Sequence, residues 1–290
     1  MDSRPQPRTS ANLWGRLLRA PLIRIVLATV VVFVAVLLAQ SFAHLFRDVV
    51  PGPLYYLLFV VVSVLVACLA YVAYVRVVER RTVSELSGEG AIKELGVGVA
   101  IGAGLVIFVV AVLWVLGDYE VAGTNAGMVL LVAFANDASG AVVEEILFRA
   151  IIFRISEEAL GTWWALLISA LLFGLLHVGE PGAVPVALAA SVLLSCAYML
   201  TRKLWMPIGI HFAWDFTQDG VFGVAAGAKG LLQADLTGPS LLSGGEIGIE
   251  ASILALVVVL IADLYLLLMA SRQGRLMEPP WRHRTRPSQP

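Results

Sequence analysis

The chain has 290 residues, of which 59% are hydrophobic and only 14% are charged. A soluble domain is nearer half apolar and a quarter charged, so this composition excludes an ordinary water-soluble fold. The formal net charge of −1 says nothing about partners, because in a membrane protein the charges are sorted by side.

Eight apolar segments follow one another along the chain. They cover roughly residues 22–46, 53–77, 95–117, 125–154, 160–178, 183–201, 205–226 and 248–270. Because about 20 apolar residues span a bilayer as a helix, we predict an all-α polytopic membrane protein with about eight transmembrane helices. The fourth segment contains NDASG at 136–140, where we expect its helix to begin late or to kink.

The segments divide the chain into five parts. These are a disordered basic tail (1–20), transmembrane helices 1–3 (21–120), a core of helices 4–7 (121–226), a loop with helix 8 (227–271) and a second disordered basic tail (272–290). Lys and Arg concentrate in both tails and in the second, fourth and sixth connections. By the positive-inside rule, eight spans then place both termini in the cytoplasm.

Charged and polar side chains interrupt the apolar segments of the second half. They are Glu144, Glu145 and Arg149 in GAVVEEILFRAIIF, His177 in LISALLFGLLHVG, and His211 and Asp215 in MPIGIHFAWDF. A charged residue at membrane depth costs several kcal/mol and usually marks a functional site. A single buried His is more often structural, and polar residues also join helices, but so many together favour a site.

Helix geometry separates the two glutamates. Glu145 and Arg149 are four residues apart, so their side chains can meet and neutralise each other. Glu144 points about 100° away around the helix and needs a partner from another helix. The candidate partners are His177, His211 and Asp215.

These residue types limit the chemistry. No Ser, Cys or Thr lies beside a base, so a covalent intermediate has no evident nucleophile. A carboxylate and an imidazole can deprotonate water and return the proton to a leaving amine, while a second His stabilises the oxyanion. Alternatively, Glu144, His177 and His211 hold a Zn²⁺ with one position open for water. Both routes lead to hydrolysis of a peptide bond.

Three motifs carry a family resemblance. EEILFR fits EExxxR, FGLLH fits FxxxH, and HFAWD fits HxxxN or HxxxD. In this order, inside separate apolar segments, they resemble the CPBP or Abi family over roughly residues 125–220. That family includes type II CAAX prenyl endopeptidases and bacteriocin-processing or immunity-related proteins.

The resemblance implies an eight-helix fold with an intramembrane catalytic cavity reached from the cytoplasm. Its implied roles are water activation by Glu144 and His177, oxyanion stabilisation or orientation by His211 with Asp215, and support by Glu145, Arg149 and Phe173. Phe173 is expected to pack beneath His177. Many relatives have Asn in place of Asp215, and because an ionised Asp is a poor donor, we expect Asp215 to orient His211 or accompany a metal.

The resemblance implies a membrane-associated or lipidated peptide as substrate, with the lipid bilayer as the other partner and no nucleic acid. Both glutamic and metalloprotease are names used for the family; we favour no cofactor, with zinc as the alternative. The expected location is a bacterial or archaeal cytoplasmic membrane.

Two other functions compete with an intramembrane endopeptidase. A proton-coupled transporter also uses intramembrane Glu, His and Arg, but typically has an internal repeat, and none is visible. A non-catalytic scaffold or immunity protein of the same family is expected to lose a motif residue, whereas the glutamates and histidines are all present.

Overall fold

The computed structural model describes residues 20–281; most of the first predicted tail and the last nine residues of the second lie outside this part. The α-helices described are α1 (Pro21–His44), α2 (Gly52–Tyr74), α3 (Ala91–Leu116), α4 (Met128–Glu145), α5 (Arg154–Leu160), α6 (Thr162–Leu175), α7 (Val184–Thr201), α8 (Trp205–Asp215), α9 (Ser240–Ser243) and α10 (Ile253–Arg272). Three π-helical segments extend them, namely π1 (Val75–Glu79) after α2, π2 (Ile146–Phe153) between α4 and α5, and π3 (Phe216–Phe222) after α8.

Each predicted apolar segment contains helix, but not every helix has the length and composition of a membrane span. Five do among the described residues, namely Pro21–His44, Gly52–Glu79, Ala91–Leu116, Val184–Thr201 and Ile253–Arg272, while Thr162–Leu175 is apolar but shorter. Apolar side chains on these helices are strongly exposed, such as Leu38 at 67% and Leu69 at 63%, as expected of lipid-facing positions. The protein is therefore an all-α polytopic membrane protein, but eight spans are not confirmed.

Two short strands in the connections were not predicted. β1 (Tyr119–Thr124) and β2 (Leu232–Leu236) pair antiparallel, with Tyr119 opposite Leu236. They join the α3–α4 connection to the segment after π3, at the end of the bundle away from the termini.

The expected late start of the helix at 136–140 is wrong, since α4 runs unbroken from Met128 to Glu145. The change from α-helical geometry comes instead at Ile146, where π2 begins directly after the paired glutamates. All eight residues of π2 are buried, and the carbonyl of Ala150 accepts a hydrogen bond of 2.7 Å from Nε of Arg154. Such wide turns are frequent at functional sites.

Helices α3 and α8 cross at a contact that only glycine permits. A Cβ added at Gly98 would overlap the carbonyl oxygen of Met206, and one at Gly102 would overlap that of Ile210. Gly98 and Gly102 form a GxxxG spacing, which lets membrane helices approach closely. The crossing fixes the backbone position of α8 beside His211.

A cluster of ion pairs closes the end of the bundle that carries the termini. The buried carboxylate of Glu79 accepts from Arg24 and Arg81, both at 2.7 Å, and from Arg154 at 2.9 Å. Burial lowers the pKa of Arg81, but the hydrogen bond and charge of Glu85 outweigh this and raise it above its usual value. The cluster ties α1, π1 and α5 together.

Part of the predicted C-terminal tail packs on the same end. The Met277 carbonyl accepts from the Thr162 amide at 3.0 Å, and the Met277 amide donates to Oγ1 of Thr162 at 2.7 Å. Arg202 also donates to the carbonyl of Arg275 at 2.8 Å. The two bonds to Thr162 hold the start of α6, the helix that leads to Phe173, and the bond from Arg202 holds the end of α7.

Candidate active site

His211 on α8 is surrounded by three carboxylates. Its Nδ1 lies 2.8 Å from Oε1 of Glu145, and its Nε2 lies 3.3 Å from Oδ2 of Asp215 and 3.9 Å from Oε2 of Glu144. The Glu144 side chain is 35% exposed, whereas that of Glu145 is completely buried. Of the candidate partners of Glu144 on other helices, His211 lies within ion-pair range but beyond hydrogen-bond distance.

The pairing expected between Glu145 and Arg149 is present. Oε1 of Glu145 lies 3.1 Å from Nη1 of Arg149, and both side chains are completely buried. The guanidinium carbon of Arg149 also lies 4.9 Å from the ring centre of Phe173, a cation–π distance. Because the same Glu145 oxygen faces His211 and Arg149, the buried pair also holds the imidazole, which helix spacing did not indicate.

Phe173 joins the two histidines. Its ring centre lies 5.3 Å from that of His177 and 6.0 Å from that of His211. Straight helices would leave these histidines at different depths, but α6 ends at Leu175, so His177 lies in the turn that follows the helix. Both imidazoles therefore reach one cavity.

That cavity has a volume of about 60 Å³, enough for about two water molecules. Its polar wall residues are His177, His211, Trp214, Asp215 and Glu250, and the remainder of the wall is apolar, from Phe173, α7, α8 and α10. Glu144 does not line this cavity but lies beside His211, which does. The cavity offers a position for water between imidazoles in a mainly apolar environment.

Hydrogen bonds assign the roles of the ring nitrogens. Nδ1 of His177 lies 3.1 Å from the carbonyl oxygen of Phe173, which can only accept, so Nδ1 carries the hydrogen. In the neutral ring, Nε2 of His177 is then left with a free lone pair that can take a proton. Nδ1 of His211 is placed to donate a hydrogen bond to Oε1 of Glu145, whereas Nε2 lies 3.3 Å from Oδ2 of Asp215 without the alignment of a hydrogen bond. That Asp215 orients His211 stays a prediction.

The metal alternative requires at least three ligands in one place. Among residues 20–281, no group of three or more His, Cys, Asp or Glu side chains has an arrangement that could hold a metal ion. The set Glu144, His177 and His211 therefore does not fit a zinc ion in this geometry, and no step below is assigned to a metal.

The position of the cavity along the bundle indicates from which side of the membrane a substrate would reach it. It extends towards the loops at 176–183 and 245–251, which meet where Gly182 packs on Ile247 and Ala251. This end is opposite the ion-pair cluster and the termini. If the basic end is cytoplasmic, the cavity lies nearer the other face of the membrane, which disagrees with the cytoplasmic access implied by the resemblance.

Two contributions to the site lay outside the motifs. Glu250 enters the cavity wall from the loop before α10, far from the other site residues in sequence. Gly102 permits the crossing that fixes α8. The GxxxG spacing in α3 is a sequence signal from which the role of Gly102 could have been predicted. The residues next to Glu250 in the sequence form no motif that indicates its place in the cavity wall.

Comparison with known proteins agrees with the motifs. A profile of the family described as Type II CAAX prenyl endopeptidase Rce1-like matches residues 125–217, about a third of the chain. The matched segment contains all three motifs, so the resemblance is confirmed over these residues. The matched family is one of proteases. No individual curated protein matches the chain.

Proposed function

We propose that the protein is an intramembrane endopeptidase that hydrolyses a peptide bond of a membrane-associated or lipidated peptide with water activated by Glu144 and His177. The observation that carries this proposal is the arrangement around His211, where carboxylates on two helices meet both ring nitrogens beside a cavity that His177 also lines. The match of residues 125–217 to a family named for CAAX prenyl endopeptidases supports this substrate class.

In the proposed reaction, the water oxygen attacks the carbonyl carbon while its proton passes to Glu144, assisted by the free Nε2 of His177. The resulting tetrahedral oxyanion accepts a hydrogen bond from the Nε2–H group of the protonated His211 ring, whose Nδ1 is held by Glu145. Glu144 then returns its proton to the amide nitrogen as the C–N bond breaks. The products are a carboxylic acid and an amine, and the carboxylate of Glu144 is regenerated.

The chain supplies the surroundings that this chemistry needs. The apolar walls limit the amount of water in the cavity. Because such surroundings have a low dielectric constant, electrostatic interactions inside the cavity are stronger than in water. The Glu145–Arg149 pair and the ring of Phe173 keep the two imidazoles from reorienting. Preorganised donors of this kind stabilise a developing oxyanion without rearrangement during the reaction.

The test uses purified protein in liposomes and a peptide that ends in a prenylated Cys followed by two aliphatic residues and one further residue. Mass spectrometry then identifies the bond that is cut. We expect Glu144→Ala and His177→Ala to abolish cleavage while expression and insertion stay at the wild-type level. Wild-type cleavage by either variant would contradict the mechanism. The same peptide without the prenyl group is the control for lipid recognition.

The metal alternative is tested in the same preparation. Metal content is measured on the purified protein, and cleavage is followed with and without a chelator. We expect the rate to be unchanged by the chelator. Loss of activity that zinc restores would instead support a metal held by Glu144, His177 and His211.

A further inference from the structure

The catalytic cavity has an acidic wall residue outside the three motifs and outside the family-matched segment. Glu250 lies on a short 3₁₀ turn, Ile249–Ala251, in the loop before α10. It lines the cavity together with His177, His211 and Asp215. Nothing in the proposed hydrolysis uses Glu250, so its presence in the wall requires a separate explanation.

The structure holds Glu250 in a defined position. Nε2 of Gln218 donates to Oε1 of Glu250 at 2.7 Å, and Gln218 is only 1% exposed. The backbone around both residues is also joined, because the Ile249 amide donates to the Val224 carbonyl at 3.1 Å and the Val224 amide to the Gln218 carbonyl at 2.9 Å. Glu250 is therefore fixed to the end of π3, next to the catalytic helix α8.

The charge of Glu250 is not balanced within the described part of the chain. The other wall carboxylate, Asp215, faces His211 at 3.3 Å, but Glu250 forms no ion pair among residues 20–281. Neither Lys nor Arg lines this cavity, and the Oε1 atom of the buried Gln218 has no partner in the described structure. Glu250 is itself only partly exposed, and a carboxylate that faces mainly apolar walls is stabilised by a cation. Since the described residues supply none here, the cation is expected to come with the ligand.

We propose that Glu250 is a specificity-determining residue that binds a Lys or Arg side chain of the peptide substrate and disfavours an acidic residue at the same substrate position. This inference rests on the proposed peptidase function. An ammonium or guanidinium group forms charge-assisted hydrogen bonds with a carboxylate, whereas a second carboxylate beside Glu250 and Asp215 is repelled.

The experiment scans the prenylated peptide with Lys and, separately, with Glu at each residue near the bond that wild type cuts, except the prenylated Cys itself. At one position we expect kcat/KM to be at least about tenfold higher for the Lys peptide than for the Glu peptide, equal to about 1.4 kcal/mol. Glu250→Gln should bring this ratio to about one, and Glu250→Lys should invert it. Ratios at the other positions should not change.

Glu246→Gln is the matched control, because Glu246 is exposed in the same loop and does not line the cavity. It should keep the wild-type ratio at every position. Glu250→Asp keeps the charge and should keep the Lys preference. The comparison of the Asp and Gln variants therefore tests the inference even if Glu250→Lys does not fold.

A wild-type ratio near one at every position, or a Lys preference that survives Glu250→Gln, would overturn this inference but not the proposed peptidase function. Failure of the wild type to cut any of the peptides would overturn the proposed function as well.

Discussion

His211 is bound to Glu145 through a hydrogen bond of 2.8 Å between Nδ1 and Oε1, although the two residues lie 66 positions apart. The same carboxylate oxygen lies 3.1 Å from Arg149. One buried carboxylate therefore has two tasks, to neutralise a guanidinium and to orient the imidazole beside the cavity. The neighbouring Glu144 is partly exposed and is the carboxylate to which we assign the proposed proton transfer.

Glu144→Gln and Glu145→Gln are expected to separate these tasks. Glu144→Gln should abolish cleavage and leave thermal unfolding in detergent close to wild type, because the residue is partly exposed. Glu145→Gln should lower the free energy of unfolding by roughly 3–5 kcal/mol, since it leaves Arg149 as an unpaired buried charge. Equal unfolding temperatures for the two variants would contradict the division of roles.

The Glu145–Arg149 pair is expected to show coupling in a double-mutant cycle. Glu145→Gln or Arg149→Met alone should lower both the yield and the activity. The double variant Glu145→Gln with Arg149→Met should recover part of the yield, because no unpaired charge then remains, but not the activity, because His211 loses its fixed partner. Yield is measured by size-exclusion chromatography of detergent extracts. Additive losses of yield would argue against the pairing.

The glycine contact between α3 and α8 is expected to control the position of the site. Gly102→Ala should displace α8, lower stability by roughly 1–3 kcal/mol as overpacking does, and reduce cleavage at least about tenfold. Gly104→Ala is the control, since this exposed residue has no atom within 4 Å of an added Cβ. Both variants are compared for thermal unfolding and cleavage rate. A Gly102→Ala protein as active as Gly104→Ala would show that the crossing tolerates expansion.

Orientation in the membrane is expected to follow the basic end of the bundle. With Cys68 and Cys196 both replaced by Ala, a single Cys is introduced at exposed Glu246 or at exposed Glu89, which lie at opposite ends. An impermeant thiol reagent added to intact cells should label Glu246→Cys but should reach Glu89→Cys only after permeabilisation. The reverse pattern would put the cavity end in the cytoplasm, as the family resemblance implies.

Much of the site could be predicted because several of its contacts join residues that are only four positions apart in the sequence. The four-residue spacing between Glu145 and Arg149 is set by helix hydrogen bonding, and their ion pair persists even though Arg149 lies in a π-helical segment. The FxxxH spacing likewise leads to the contact between Phe173 and His177. The late helix start expected at 136–140 was wrong because polar residues and one glycine weaken a helix only slightly when neighbouring helices pack against it.

The sequence by itself determined that the protein is apolar and helical, and which charged residues interrupt its apolar segments, since hydropathy and helix spacing depend only on neighbouring residues. Only the tertiary structure decided that Glu145 also binds His211, that Gly102 sets the depth of α8, and that Glu250 reaches the cavity. Those relations join distant parts of the chain. Their distances result from the packing of whole helices, which no local pattern in the sequence records.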